Sequence, residues 1–319
     1  TTADVEWALR SFRDVDYDKV VSVAKGIDVV FRDAGHILGS AMLELQVTEN
    51  GTQRRIVFSG DIGQWGKPLI GDPAVFNQAD YVVMESTYGD RNHDKSGDVE
   101  SQLCDVINQT VRRHGNVVIP TFAIERAQEL MYYIGRLVYA DRIPDIPIFL
   151  DSPMAVDVTE IFQQHREYLD PETRRLIESG QPPLRYPGLR LVQKVANSKA
   201  INEVKSPCII MSPAGMCNAG RIKHHLRTNI GRPECTVLFV GFQANGTLGR
   251  QILEGNPQVR IHGEMRRVRA QIAHINGFSA HADRSGLLHW LSHLQSPPRH
   301  IFLTHGEASA SEHLAGRIK

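Results

Sequence analysis

Four short apolar runs in the middle of the chain constrain its architecture most. They are Asn116-Val117-Val118-Ile119-Pro120, Ile146-Pro147-Ile148-Phe149-Leu150, Pro207-Cys208-Ile209-Ile210-Met211 and Cys235-Thr236-Val237-Leu238-Phe239-Val240. Each is apolar almost throughout rather than alternating, as expected of a strand buried on both faces. Segments with helical character separate them, at Gln102 to Arg113, Ile124 to Tyr139 and Val156 to Ser179. Apolar strand followed by helix, repeated, predicts an α/β lobe built on a mainly parallel sheet with helices on both sides.

The flanking segments have a different texture. Thr2 to Arg13 reads as a short helix with Thr2 as N-cap. Ile27 to Phe31, Ala41 to Val47 and Arg55 to Ser59 read as strands. The second alternates with period two, and the Glu49-Asn50-Gly51-Thr52 turn joins it to the third as a hairpin. Tyr81 to Met84 is a further buried strand. The last fifty residues revert to this texture: Ala270 to Ile275 reads as a strand, Ser285 to Leu294 as a helix and Arg299 to Thr304 as a strand. The expected organisation is one α/β lobe, residues 1–92 and 269–319, interrupted by an inserted second lobe at residues 93–268.

Composition narrows the function classes. Hydrophobic residues make up 41% and charged residues 23%, values of a globular protein. No apolar run approaches the roughly 20 residues needed to span a bilayer, so no membrane association is expected. The 36 basic residues balance 36 acidic ones, so a polyanion would have to be met by a local groove rather than a global field. Cys104, Cys208, Cys217 and Cys235 lack zinc-ribbon spacing, and a reducing, cytoplasmic setting is expected.

Chemistry collects at the ends of the apolar runs. Gly35-His36-Ile37-Leu38-Gly39-Ser40, Ser59-Gly60-Asp61-Ile62-Gly63 and Glu85-Ser86-Thr87-Tyr88-Gly89 each place a polar residue there, as do Phe278-Ser279-Ala280-His281-Ala282-Asp283 and Thr304-His305-Gly306-Glu307. Any one of these reads as an ordinary turn, since aspartate bonds its own backbone and glycine takes positive φ. Four strand ends offering His36, Asp61, His281 and His305 together are harder to explain so. Imidazole with carboxylate is the donor set of zinc and other borderline divalent metals. Asp283 and Glu307 are candidate groups behind the ligands, with helix capping or solvent exposure as the competing reading.

In order and spacing these motifs resemble the β-CASP branch of the metallo-β-lactamase superfamily, from Gly35 to Glu307. The likeness is nearest to its RNA-processing members, relatives of the endonuclease subunit of the cleavage and polyadenylation specificity factor. The resemblance implies a metallo-β-lactamase αββα-type lobe, incomplete here, carrying an inserted β-CASP lobe. It implies that His36 binds one zinc, that Asp61 bridges two, and that His305 is a ligand of the second. Glu85 resembles the acidic residue of the family's motif A and His281 its motif B histidine. The pair implies a general acid, His281, oriented by Glu85. The activity implied is hydrolysis of RNA phosphodiester bonds with two Zn2+, endonucleolytic and potentially also 5′-3′ exonucleolytic.

One departure is plain. The superfamily signature His-x-His-x-Asp-His supplies most of the metal ligands, and this sequence contains no His-x-His. The chain also opens on a helix, without the strands that precede that signature, and stops soon after His305. The expectation is a fragment cut at both ends, inactive in this form, because five functional positions survive where a decayed site would have lost some.

Single-stranded RNA is the expected partner, and a homodimer is an expected arrangement. Arg126 in the first turn of a helix, Arg221, His225 and Arg250 after glycine-punctuated strand ends, and Ser279 are the expected phosphate contacts. Phe122 and Phe242 are candidates for base stacking, with burial in the core as the more ordinary reading. Two alternatives remain: a non-catalytic RNA-binding or scaffold subunit, which the missing signature would fit, and a DNA nuclease of the same branch, against which His305 counts. Histidine there is the RNA-type pattern among the resembled proteins.

Overall fold

The computed structural model describes residues 1–93 and 98–318. Residues 94–97 of the expected insert, and residue 319, lie outside the described residues. The chain opens with α1 (Thr2–Leu9), β1 (Val20–Ala24), β2 (Ile27–Asp33), β3 (Ala41–Glu49), β4 (Thr52–Phe58) and β5 (Tyr81–Glu85). There follow α2 (Val99–Arg112), β6 (Val117–Pro120), α3 (Arg126–Tyr139), β7 (Ile148–Asp151), α4 (Pro153–Gln164), α5 (Pro171–Glu178) and β8 (Leu189–Val192). Then come α6 (Val195–Ile201), β9 (Ile209–Ser212), α7 (Ile222–Asn229), β10 (Thr236–Phe239), α8 (Leu248–Leu253), and the hairpin β11 (Gln258–Ile261) and β12 (Glu264–Arg267). Last are β13 (Gln271–His274), α9 (Arg284–Ser292), β14 (His300–Thr304) and α10 (Ala308–Ile318).

These elements form two compact units. The first comprises Thr1–Trp65, Asp72–Asn92 and His281–Lys319; the second comprises Gly66–Gly71 and His93–Ala280. The first unit holds a six-stranded sheet in the order β1-β2-β3-β4-β5-β14. Its first four strands are antiparallel neighbours, whereas β5 runs parallel to both β4 and β14. Asn50 and Gly51, both at positive φ, turn β3 into β4, the conformation that matches the twist of a two-residue hairpin. Met42, Val57, Val82 and Met84 on one sheet face bury against Leu287 and Trp290 of α9 and Leu314 of α10. At the start of the chain, Thr1 rather than Thr2 is the N-cap. Its hydroxyl accepts from the Asp4 amide while the Asp4 carboxylate reaches back, and the helix ends at Leu9 rather than Arg13.

The second unit is built on an all-parallel sheet, β13-β10-β6-β9-β7-β8. Strands β6, β7, β9 and β10 are buried at every residue, which is why they read as continuous apolar runs. Ile222 and Leu226 of α7 and Leu248 and Ile252 of α8 join Val118, Ile210, Val237 and Phe239 in one core. The second unit runs past residue 268, the expected C-terminal end of the insert. Strand β13 pairs in register with β10, so residues 269–280 belong with the second unit's sheet. The short segment Gly66–Gly71 joins it too, through a bridge from Ile70 to Leu169 and the Leu69 amide, which donates to the Asp170 carboxylate at 2.7 Å. Among the described residues, no helix is long and apolar enough to cross a membrane.

The C-terminal end of β7 carries a buried ionic knot. Asp151 Oδ1 accepts from Arg221 Nη1 at 2.8 Å, and Asp151 Oδ2 lies 2.7 Å from His225 Nε2 and 2.6 Å from the Ser198 hydroxyl. Burial alone would push the Asp151 carboxyl up, but the bonds from His225, Ser198 and Arg221 outweigh it and hold it below the usual aspartate value. A carboxyl depressed on folding contributes stability above its unfolded pKa, about 3.9, and loses that contribution as pH falls through the folded value. Asp151→Ala should therefore lower stability at neutral pH by about 3–5 kcal/mol, because it leaves Arg221 inside without its counter-charge. Urea unfolding at pH 7 and at pH 3 measures this, and the difference between variant and parent should shrink at the lower pH.

Candidate metal centre

Three parallel strand ends in the first unit deliver three of the residues. Asp61 follows β4, Glu85 closes β5 and His305 follows β14, so all three stand at the carboxyl end of adjacent parallel strands. His36 arrives from the loop between β2 and β3. There the Ser40 hydroxyl accepts from the His36 and Ile37 amides at 3.2 Å each, with Gly35 and Gly39 at positive φ. His281 enters just ahead of α9 and bridges to Gly63, while the Ala282 amide donates to the Ile62 carbonyl at 2.7 Å.

The loops bearing His36 and Asp61 are pressed together with no room for a side chain. The Gly63 amide donates to the Ala34 carbonyl at 2.9 Å, and a Cβ built on Gly63 would lie 1.7 Å from the Gly35 carbonyl oxygen. Likewise a Cβ on Gly306 would fall 2.5 Å from the Ser86 hydroxyl. His305 itself takes φ of 50°, an uncommon conformation for a residue with a side chain, and the Thr87 hydroxyl donates to its carbonyl at 2.8 Å.

The side chains then converge. Asp61 Oδ2 is 3.8 Å from His36 Nε2, and Asp61 Oδ1 is 3.3 Å from His305 Nε2. The rings of His36 and His281 are 4.4 Å apart between centroids, and those of His281 and His305 5.8 Å. One donor atom from each of His36, Asp61 and His281 lies within 4.8 Å of the others. Two imidazoles and a carboxylate on this scale suit zinc. All four cysteines are free and buried, and burial pushes the Cys208 and Cys217 thiols up to about 12, which disfavours the thiolate a metal would need.

Glu85 is the buried anchor of the group, 1% exposed. Its Oε1 accepts from the Ile62 amide at 2.5 Å, and both carboxylate oxygens lie 3.2 Å from His281 Nδ1. Burial would raise its pKa, yet the bond and charge of His281, with help from Thr87 and the Ile62 amide, win and hold the carboxyl below its ordinary value. An ionised Glu85 fixes the His281 ring through Nδ1. Sequence reasoning missed Tyr88, whose ring centre lies 6.3 Å from that of His281, although the Glu-Ser-Thr-Tyr motif contained it. Asp283 serves as the N-cap of α9, its carboxylate accepting from the Gly286 amide at 2.8 Å. Glu307 is exposed at the start of α10.

The expected phosphate contacts fare differently. His225 is wholly buried between Asp151 and Asn202, with no surface to offer a phosphate, so its assignment as a contact is corrected to the core. Arg221 is committed inward by bonds to Asp151 and to the carbonyls of Val192 and Gln193. Arg126 donates to the Val240 carbonyl at 2.8 Å, and Arg250 pairs with Glu254 one turn along α8 at 2.7 Å. Ser279 is partly buried, in the second unit.

Strand-end acids and imidazoles around a common point are the donor arrangement that a metal-binding centre requires. A sequence profile described as the Beta-Casp domain matches residues 127–252, and one described as the Zn-dependent metallo-hydrolase RNA specificity domain matches residues 265–319. A ribonuclease of Thermus thermophilus is 38% identical over 304 residues, 95% of this chain and 68% of its own length. A transcription termination factor FttA of Methanosarcina mazei is 33% identical over 95% of this chain and 49% of its length. An RNase J-like protein of Methanocaldococcus jannaschii is 29% identical over 95% and 69%. The chain belongs to the β-CASP metallo-β-lactamase family of RNA-processing hydrolases, and it spans about half to two-thirds of the length of these relatives.

Gly63→Ala should separate the Gly35 and Gly63 backbones and cost about 3 kcal/mol or more by overpacking. Urea unfolding should register the loss, and titration with Zn2+ should show weakened uptake, because His36 and Asp61 part together.

Proposed function

We propose that this protein acts on single-stranded RNA as a zinc-dependent phosphodiesterase, with His281 as general acid and Glu85 as its positioning partner. The observation that carries the reading is the pairing of Glu85 with His281 at 3.2 Å beside an Asp61 flanked by His36 and His305. In this reading His36, Asp61 and His305 hold the metal. When bound, zinc acidifies water and polarises a phosphoryl oxygen. The protein's own part is to hold a proton on His281 Nε2 and deliver it to the leaving oxygen of the RNA. Glu85 keeps the ring in one orientation and compensates its positive charge, and Asp61 leaves both oxygens turned toward imidazoles. A cytoplasmic setting accompanies the proposal, the four free cysteines being compatible with a reducing compartment.

A second reading rests on one fact: the 319 residues contain no His-x-His. On that reading the chain binds RNA without cleaving it. On the hydrolase reading the chain by itself holds zinc weakly and turns RNA over slowly, since three donors serve where a closed site uses four; on the second reading it turns over none. Incubating a 5′-labelled single-stranded RNA with excess chain and Zn2+ separates the two. Metal-dependent cleavage that falls at least about 100-fold in His281→Ala, with RNA binding unchanged, supports the hydrolase. Cleavage that survives a chelator, or that is undiminished in His281→Ala, overturns it. Binding with no cleavage leaves the scaffold reading.

A further inference from the structure

The carboxyl end of the second unit's parallel sheet presents two aromatic rings to solvent. Phe122 follows β6 and is 44% exposed; Phe242 follows β10 and is 60% exposed. Burial was the ordinary expectation for both, and the structure reverses it. Strands β10 and β6 are parallel neighbours and β9 lies on the other side of β6, so the loops after these three strands emerge side by side.

The rings are held in place by specific contacts. The Arg126 guanidinium lies 5.8 Å over the Phe122 ring, and its Nη1 donates to the Val240 carbonyl, two residues before Phe242. That single side chain ties the β6 loop to the β10 loop. Phe122 rests on Gly215 in the loop after β9, where a Cβ would stand 3.0 Å from the ring. Buried Gln243 donates from its Nε2 to the Gly215 carbonyl at 3.1 Å, so the residue beside Phe242 is fastened to the same floor. Gly241 has no space for a Cβ, which would meet Arg126 Nη1 at 2.1 Å. Keeping two large apolar rings in water is unfavourable by the usual burial argument, yet here glycines, a glutamine and an arginine all serve to hold them there.

We infer that Phe122 and Phe242 form a stacking platform for two bases of a single-stranded nucleic acid, with Arg126 as the cation between them. Aromatic rings backed by arginine suit bases of any identity, because every base offers a flat face. The chemistry selects an unpaired strand, since bases in a duplex are already stacked on one another. This inference rests on the RNA reading above and adds the residues that would grip the bases.

The test is fluorescence anisotropy with a labelled single-stranded oligouridylate and with an abasic strand of equal length and charge. Phe122→Ala and Phe242→Ala should each weaken binding of the base-bearing strand by roughly five- to a hundred-fold, the usual range for one lost stack. Binding of the abasic strand should not change, and Phe122→Tyr and Phe242→Trp should restore most of the loss. Both side chains are exposed, so unfolding midpoints should match the parent's. If the parent binds the base-bearing strand and both alanine variants bind it equally well, the platform is wrong and the RNA reading survives. Equal losses on both strands would also overturn it, assigning the rings a structural part. If the parent binds neither strand, the RNA reading falls and this inference with it.

Discussion

The buried carboxylate of Glu85 is the point on which the first unit's site depends. It ends the central parallel strand and touches two other segments at once, the Ile62 amide beside Asp61 and the imidazole of His281. A carboxylate this deeply buried is tolerated only when its charge is satisfied, and the satisfying groups here are the ones that place the chemistry. Fixing Glu85 fixes the Asp61 loop from one side and the His281 turn from the other. The close approach of Gly63 to Gly35 then sets the His36 loop against the same centre.

Parallel pairing explains why this arrangement is available. Strands β4, β5 and β14 run the same way, so the residues just past each one emerge at one edge and within a few strand spacings of each other. The second unit repeats the principle with different residues. The ends of β6, β9 and β10 bring Phe122, Gly215 and Phe242 to one edge, and the end of β7 brings the buried Asp151 knot. In each unit the carboxyl edge of the parallel strands gathers polar or aromatic groups, as open α/β sheets generally do.

Much of this was legible because apolar runs end abruptly on a chemically distinctive residue. Glu85 after Tyr81-Val82-Val83-Met84 and His305 after Ile301-Phe302-Leu303-Thr304 are visible without coordinates. Strand β13 was legible as a strand but not its lobe, because an edge strand is half exposed and reads like the alternating strands of the first unit, although its pairing partner is β10. His225 and Arg221 misled for a related reason. Cationic or imidazole side chains after glycine turns look solvent-facing in sequence, and only the fold reveals that Asp151, some seventy residues earlier, waits inside to receive them. The exposure of Phe122 was equally hidden, since the ring packs on Gly215, a residue far along the chain where a side chain would crowd it.

The division of labour among the three imidazoles follows from counting ring nitrogens. His281 turns Nδ1 toward Glu85, so a bond to a metal or to a leaving oxygen would have to run through Nε2. That nitrogen cannot bind a metal and also carry a proton to a leaving group. His36 and His305 approach opposite oxygens of Asp61 through Nε2, so these three residues would be the ones to hold a metal. If His281 is the proton donor, metal binding in this chain falls to His36, Asp61 and His305. The proximity of His281 to His36 and Asp61 then places the proton beside the metal rather than adding a ligand. In the proposed reading a charged His281 beside a bound cation would need a counter-charge, and the buried, ionised Glu85 at Nδ1 would supply it.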